Sequence, residues 1–167
     1  MDGSGMIAVC PGSFDPVTVG HLDIITRASK LFKKVIVAVM SNAVKSPCFS
    51  VEERVDMIRK ATAHLPNVEV DAYDGLLADY AELKGAGVIV KGLRAMSDFE
   101  YEFQMALTNR KLNPKVETMF LTTAAENMYL SSSMVKQIGS MDGDIGGFVP
   151  DVIYDFIKQR LSRGNTK

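Results

Sequence analysis

Cysteine, histidine and long apolar runs are all scarce in this chain of 167 residues, and each scarcity excludes a class of protein. The two cysteines, Cys10 and Cys48, form no CxxC pair, so the sequence predicts no disulfide framework. With only two histidines, His21 and His64, no zinc ligand set is available. The longest apolar run, residues 35–40, is far shorter than the ~18 residues that a membrane span needs.

The charges are nearly balanced, with 19 lysines and arginines against 20 aspartates and glutamates and a formal net charge of −1. Proteins that bind duplex nucleic acid are usually basic, so no nucleic-acid partner is expected, although a local basic cluster can still bind a small anion. The sequence opens without the basic and then apolar pattern of a secretion signal. These features predict reduced thiols in a cytoplasmic protein with no membrane partner.

The length predicts a single domain, because 167 residues is the size of one ordinary globular unit. The opening residues are polar and rich in glycine, and the last ones are polar and charged. We therefore expect a flexible leader at 1–5, the domain at 6–162 and a frayed tail at 163–167.

Short apolar runs alternate with segments of helical period. The runs predict strands at 6–10, 35–40, 68–72, 88–91 and 117–122. Helices are predicted at 21–32, 50–64, 76–83, 97–112 and 131–139, with a last helix after Pro150. Such an alternation is typical of an α/β fold, here a single doubly wound domain around a five-stranded parallel sheet. Ligands of such sheets bind at the carboxyl ends of the strands.

The segment after the first predicted strand, residues 11–21, combines features that suit a phosphate. Its prolines and glycines predict a rigid turn, and His21 falls in the first turn of the next helix. The free N–H groups of a helix start favour anions. Ser13 adds a hydroxyl, and Gly20 permits close approach of a ligand. A turn with a capping histidine is the structural alternative, but the combination is what stabilisation of a transferring phosphoryl group requires.

Four segments match known motifs: PGSFDPVTVGHLDI at 11–24, FSVEER at 49–54, KGLRAMSDFEYEFQMA at 91–106 and LSSSMVK at 130–136. The first contains TVGH, which resembles the (H/T)xGH signature of the nucleotidyltransferase superfamily, and LSSS resembles its later serine motif. Together the four segments are similar to the bacterial phosphopantetheine adenylyltransferases, in the same order along the chain. TxGH alone recurs by chance, whereas the whole set is specific.

The resemblance implies a Rossmann-like nucleotidyltransferase fold and a defined reaction. The family transfers the adenylyl group of ATP to 4′-phosphopantetheine, giving 3′-dephospho-coenzyme A and pyrophosphate, the penultimate step of coenzyme A synthesis. It also implies Mg²⁺ that arrives with ATP, since no dense carboxylate cluster suggests a dedicated metal site in the protein. A homo-oligomer, usually a hexamer, and feedback binding of coenzyme A are further expectations from the family.

The resemblance also implies roles for individual residues. The implied catalytic residues are His21, which would contact the α-phosphate of ATP, Lys45 and Arg94. The implied ATP-binding residues are Ser13, Phe14, His21, Gly92, Leu93, Arg94, Glu102, Asn127, Met128, Tyr129, Leu130, Ser131, Ser132 and Ser133. The implied phosphopantetheine-binding residues are Ser13, Lys45, Leu77 and Lys91. Many relatives carry arginine at the position of Lys91, where this chain supplies a point charge instead.

Three other functions stay open at this stage. A related nucleotidyltransferase would use nicotinamide mononucleotide or glycerol phosphate as its acceptor. Ser133 and Lys136 form a literal SxxK, as in penicillin-recognising acyl enzymes, although the chain contains no KTG. A non-catalytic module that binds a nucleotide or coenzyme A is the third, and release of pyrophosphate distinguishes an enzyme from it.

Overall fold

The structure is a computed structural model that describes residues 5–41 and 46–163. Its strands are β1 (Ile7–Gly12), β2 (Lys34–Met40), β3 (Val68–Tyr73), β4 (Val88–Leu93) and β5 (Glu117–Thr122). Its α-helices are α1 (Val19–Leu31), α2 (Val51–Ala61), α3 (Leu77–Leu83), α4 (Met96–Leu112), α5 (Ser132–Ser140) and α6 (Tyr154–Arg163), with short 3₁₀ turns at Ala125–Asn127 and Asp151–Ile153. The predicted leader and tail lie outside the described residues, apart from Gly5 and Arg163.

All strand pairs are parallel, and the strand order is β3-β2-β1-β4-β5. The chain winds outward from β1 through β2 to β3, then returns to the other side of β1 and continues through β4 to β5. This is the doubly wound α/β architecture that the alternation of strands and helices predicts, and the prediction is confirmed.

Alternate residues of the strands feed two hydrophobic layers. On β2, Val35 and Val37 pack with helices α1, α2, α5 and α6 on one face of the sheet. Ile36 packs on the opposite face, in a layer that includes Tyr80 of α3. Because both faces are covered, the strand is apolar without alternation, which is why its sequence shows an unbroken hydrophobic run.

Most strand and helix boundaries lie within one or two residues of the sequence prediction, and two of the differences have a clear physical reason. The first strand continues through Pro11 and Gly12, which the sequence places in a turn. Pairing of β1 with β4 ends at Val9, so the missing N–H of Pro11 removes no ladder bond on that side. Helix α2 ends at Ala61 instead of reaching residue 64, because the chain turns ahead of Pro66.

Among the described residues, no helix is both long and apolar enough to cross a membrane. Cys10 and Cys48 are both free thiols.

Candidate active site

A cleft of about 300 Å³ opens where β1 and β4 separate. The two strands pair only at Ala8–Val88 and Val9–Ile89, whereas β1 stays paired with β2, and β4 with β5, to their ends. This is the point at which the winding direction of the sheet reverses, the usual ligand site of such folds. The predicted site residues that line the cleft are Phe14, His21, Lys91, Gly92, Arg94, Glu102, Asn127, Leu130, Ser131 and Ser132.

His21 is the third residue of α1 and is held by a reciprocal cap with Thr18. The Thr18 backbone N–H donates to His21 Nδ1 at 3.0 Å, and the His21 backbone N–H donates to Thr18 Oγ1 at 3.3 Å. Because Nδ1 accepts a hydrogen bond from a backbone N–H, the ring proton is assigned to Nε2. The capping role that the sequence offered as an alternative is therefore present, and it leaves Nε2–H as the donor for a ligand in the cleft.

The electrostatic surroundings keep the His21 ring neutral. Burial, followed by the positive charges of Arg94 and Lys91, lowers the pKa of His21 from 6.5 to about 4. Near neutral pH the ring is therefore an uncharged N–H donor. It can stabilise negative charge on a phosphate oxygen without being a cation itself.

Phe14 closes one wall of the cleft in a strained backbone conformation. Its φ of 50° lies in the left-handed region, and it is only 5% exposed. Its ring meets His21 edge to face, with centroids 5.0 Å apart. A Cβ at Gly12 would lie 3.0 Å from the Phe14 ring, so glycine is what allows the ring to fold back over β1. Strain of this kind, on the order of 1–3 kcal/mol, is typical of functional loops.

Arg94 links β4 to the start of α5. One guanidinium nitrogen donates to the Leu130 carbonyl at 2.6 Å, and Nε lies 3.5 Å from the Asp98 carboxylate. The side chain is thereby held in the wall of the cleft, where its remaining N–H groups can face an anion.

The serines at the start of α5 have distinct positions. Ser131 is the N-cap and accepts from the Met134 N–H at 3.1 Å. The Ser132 hydroxyl donates to the Pro16 carbonyl at 2.7 Å, which ties α5 to the loop after β1. Ser133 is exposed and does not line the cleft. Two of the three serines therefore organise the helix start, whose free N–H groups remain suited to phosphate.

A second, smaller cavity of about 100 Å³ adjoins the cleft at an ion pair. Lys91 and Glu102, with Nζ and Oε1 3.5 Å apart, line both cavities. Leu77, predicted to contact the pantetheine arm, lines only the smaller one, which we call the side pocket. A ligand that occupied both cavities would pass the Lys91–Glu102 ion pair. We therefore expect such a ligand to carry a polar or charged group at that point.

Asn109 of α4 lines the side pocket and was missed by the sequence reasoning. It is only 6% exposed, yet its side-chain amide makes no hydrogen bond within the described part of the chain. No fully enclosed polar side-chain atom of the described residues lacks a partner, so the amide is not fully enclosed, and the side pocket is a cavity that Asn109 lines. The sequence carried no signal for it, since a polar residue in a helix usually faces solvent.

Several predicted site residues do not line either cavity. They are Ser13, Leu93, Met128, Tyr129 and Ser133. Lys45 lies outside the described residues. The ligand contacts of all six stay predictions.

The cytidylyltransferase-like family model matches residues 9–138. The phosphopantetheine adenylyltransferase of Caldanaerobacter subterraneus subsp. tengcongensis is 53% identical over 157 residues, which cover 94% of this chain and 98% of the relative. The enzyme of the same name from Rubrobacter xylanophilus is 54% identical over 161 residues, covering 96% and 98%.

A solved structure, the bifunctional NMN adenylyltransferase/ADP ribose pyrophosphatase from Francisella tularensis, shares the fold with a TM-score of 0.66 at 19% identity. The match covers 93% of this chain but 49% of that one, so this chain spans about half the length of that protein.

The acyl-enzyme alternative fails on the geometry of its lysine. Lys136 Nζ is engaged by the Asp15 carboxylate at 3.1 Å, and neither Ser133 nor Lys136 lines the cleft, so the pair is not placed as a nucleophile and base of a ligand site. The sequence relatives, the family model and the doubly wound fold agree, and the chain belongs to the phosphopantetheine adenylyltransferase family of cytidylyltransferase-like proteins.

Proposed function

We propose that this protein transfers the adenylyl group of ATP to 4′-phosphopantetheine, giving 3′-dephospho-coenzyme A and pyrophosphate. The observation that carries the proposal is the pair of adjoining cavities that meet at Lys91 and Glu102. The cleft suits a nucleotide, and the side pocket suits a slender chain that ends in a phosphate at the junction.

The chemistry is a direct displacement at phosphorus. An oxygen of the phosphopantetheine phosphate forms a bond to the α-phosphorus of ATP. The bond from that phosphorus to the oxygen bridging the β-phosphate breaks, and its electron pair leaves with pyrophosphate. The attacking phosphate is already ionised near neutral pH, so no general base is needed, and positioning with charge stabilisation suffices.

His21 supplies the central stabilising contact in this proposal. Its Nε2–H donates to a non-bridging oxygen of the α-phosphate, where negative charge builds up in the transition state. Thr18 supports this role, because its N–H bond to Nδ1 keeps the proton on Nε2. Arg94, which also lines the cleft, adds positive charge.

The acceptor site extends from the cleft into the side pocket. We assign the attacking phosphate to Lys91, Lys45 and Ser13, and the pantetheine arm to Leu77 and Asn109. The arm carries amide groups, which can pair with the Asn109 amide, for which the described part of the chain supplies no hydrogen-bond partner. Before the acceptor binds, Glu102 holds the Lys91 ammonium.

The nucleotide occupies the rest of the cleft. Its binding residues in this proposal are Ser13, Phe14, His21, Gly92, Leu93, Arg94, Glu102, Asn127, Met128, Tyr129, Leu130, Ser131, Ser132 and Ser133. The helix start at Ser131 favours the β- and γ-phosphates, since its N–H groups and helix dipole attract anions.

Mg²⁺ enters this proposal with ATP. Within the residues that the structure describes, no three His, Cys, Asp or Glu side chains gather as a protein-held metal site would require. When bound with ATP, the ion would supply positive charge that neutralises part of the charge on the phosphates.

A coupled pyrophosphate assay tests the function. The purified protein, with ATP and Mg²⁺, is offered 4′-phosphopantetheine, nicotinamide mononucleotide or glycerol phosphate, and the product is identified by mass. We expect pyrophosphate only with phosphopantetheine, together with dephospho-coenzyme A. Release of pyrophosphate with another acceptor would change the acceptor that we assign and leave the assigned adenylyl transfer unchanged. No release from folded protein that binds ATP would favour the non-catalytic module.

A homo-oligomer, with a hexamer as the expected size, is part of the proposal. An apolar surface on α4 and β5 supports it: Phe103, Leu107, Leu112 and Met119 are between 40% and 54% exposed. Light scattering coupled to size exclusion measures the mass. Leu107→Glu should reduce the mass, while Leu83→Glu, at an exposed leucine of α3, serves as the matched control.

Feedback binding of coenzyme A and a cytoplasmic location complete the proposal. Coenzyme A carries the same pantetheine arm as the acceptor, so it should compete with phosphopantetheine for the side pocket, and inhibition kinetics test this. The free thiols of Cys10 and Cys48 fit a reducing compartment, and cell fractionation tests the location.

A further inference from the structure

Asp15, in the loop after β1, has a carboxylate that is fully engaged by other parts of the protein. Its Oδ1 accepts from the Phe49 N–H at 2.9 Å, and its Oδ2 accepts from the Cys48 N–H at 2.9 Å and from Lys136 Nζ at 3.1 Å. The residue is 7% exposed and lines neither cavity. Asp15 therefore acts on the structure around it and touches no ligand in the cleft.

The charge on Asp15 is stabilised by these partners. Burial alone would raise the pKa of Asp15, but the bonds from Cys48, Phe49 and Lys136 outweigh it and lower the pKa instead. The carboxylate is thus ionised when the enzyme works, and the interaction with Lys136 is a true ion pair.

The same loop is fixed at two further points. The buried guanidinium of Arg54, in α2, donates to the Ser13 carbonyl at 2.8 Å. The Ser132 hydroxyl of α5 donates to the Pro16 carbonyl at 2.7 Å. Residues 13–16 are therefore held between α2 and α5, and this bracing keeps Phe14 in its strained left-handed conformation against His21.

Lys136 connects this loop to helix α5, whose start lines the cleft. It lies in α5, about one turn after Ser131 and Ser132, which line the cleft. Lys136 itself does not line the cleft, and its ammonium is directed to Asp15. The start of α5 therefore lines the nucleotide site, and Lys136 in the next turn pairs with Asp15 in the loop that carries Phe14.

We propose that Asp15 and Lys136 are positioning residues for adenylyl transfer, which set the separation between the loop at 13–16 and the phosphate-binding start of α5. The inference rests on the proposed function, because it concerns alignment of the two reacting groups. Loss of the pair leaves both binding surfaces in place but misaligned. Misplacement by about 1 Å is enough to cost on the order of a hundredfold in rate.

The test compares Lys136→Met with Lys136→Arg and with Lys84→Met. Lys84 is a matched control, since its side chain is 36% exposed against 35% for Lys136, and it pairs with Asp71 at 2.9 Å away from both cavities. Steady-state kcat and the KM of each substrate are measured, together with the thermal midpoint of each variant. We expect kcat to fall about tenfold or more in Lys136→Met, with the KM of ATP changed less than threefold. Lys136→Arg should recover most of kcat, and Lys84→Met should match the wild type.

A double-variant cycle with Asp15→Asn provides the second measurement, and it keeps the test valid if one variant folds poorly. If the two residues act as a unit, the double variant loses no more kcat than the worse single variant. Multiplying losses would overturn the proposal, as would an unchanged kcat in folded Lys136→Met. A loss confined to the KM of ATP would show that Lys136 binds the nucleotide and would equally overturn it. Failure of the proposed function is a different result, since wild-type protein would then release no pyrophosphate with phosphopantetheine.

Discussion

Replacement of His21 by alanine separates the catalytic use of the imidazole from its structural use. The ring has one nitrogen committed to Thr18 and one N–H free for the substrate. Because the lowered pKa of about 4 keeps the ring neutral, its contribution is that of a single preorganised N–H donor. Removal of one such donor from an active site costs about 2.7–4 kcal/mol of transition-state stabilisation, or a hundredfold to a thousandfold in kcat.

The same change removes the acceptor of a buried N–H. Thr18 is 2% exposed, and its backbone N–H would lose its partner at Nδ1. An unsatisfied buried donor costs about 1–3 kcal/mol, so His21→Ala should also lower the free energy of unfolding. The two effects can be measured independently, by pyrophosphate release and by urea denaturation.

His21→Gln distinguishes the two roles. A glutamine at the third helical position can accept from the N-cap N–H, so stability should return towards that of the wild type. Activity should not return with it. His64→Ala, at the exposed second histidine, should leave both quantities unchanged. Full recovery of kcat in His21→Gln, or near-normal turnover in folded His21→Ala, would refute a donor role for the imidazole.

Three further predictions concern the charge of His21 and the acceptor site. The folded state keeps the His21 ring neutral, whereas the unfolded chain binds a proton below about pH 6.5. The free energy of unfolding should therefore decrease by roughly 3 kcal/mol as the pH is lowered from about 6.5 to about 4. Urea denaturation at a series of pH values should show that this decrease in the free energy of unfolding is absent in His21→Ala. Lys91→Ala should raise the KM for phosphopantetheine more than that for ATP, and equal changes in steady-state assays would contradict the assignment. Asn109→Leu should raise the KM for phosphopantetheine, while calorimetry should find the variant as stable as the wild type, since no described residue forms a hydrogen bond with the Asn109 amide.

The strands were readily predicted because their physical cause is local. β5 begins and ends where the sequence predicts, at Glu117 and Thr122. The predicted end of β1, at Cys10, falls two residues before the observed end at Gly12, because proline and glycine usually end a strand. Pro11 and Gly12 remain extended here because β4 has already diverged from β1, and this divergence is a property of the sheet that no local pattern carries.

The candidate site was predicted in part. Motif residues next to strand ends, such as His21, Lys91 and Arg94, line the cleft as their positions suggest. The sequence does not predict the tautomer or the neutral charge of the His21 ring. Both depend on the hydrogen bond from Thr18, on burial and on the positive charges of Arg94 and Lys91, which only the folded structure brings together. Asn109 was missed because only the packing of α4 shows that this amide is buried beside a pocket.

The sequence by itself determined the alternation of strands and helices and the candidate residues for the chemistry, because hydrophobic period, caps and motifs are local properties of the chain. The tertiary structure decided where those residues meet. Asp15 and Lys136 stand 121 positions apart, and neither position suggests the other. Their ion pair exists because the winding of the sheet brings the loop after β1 against α5, and the same packing opens the cleft between β1 and β4.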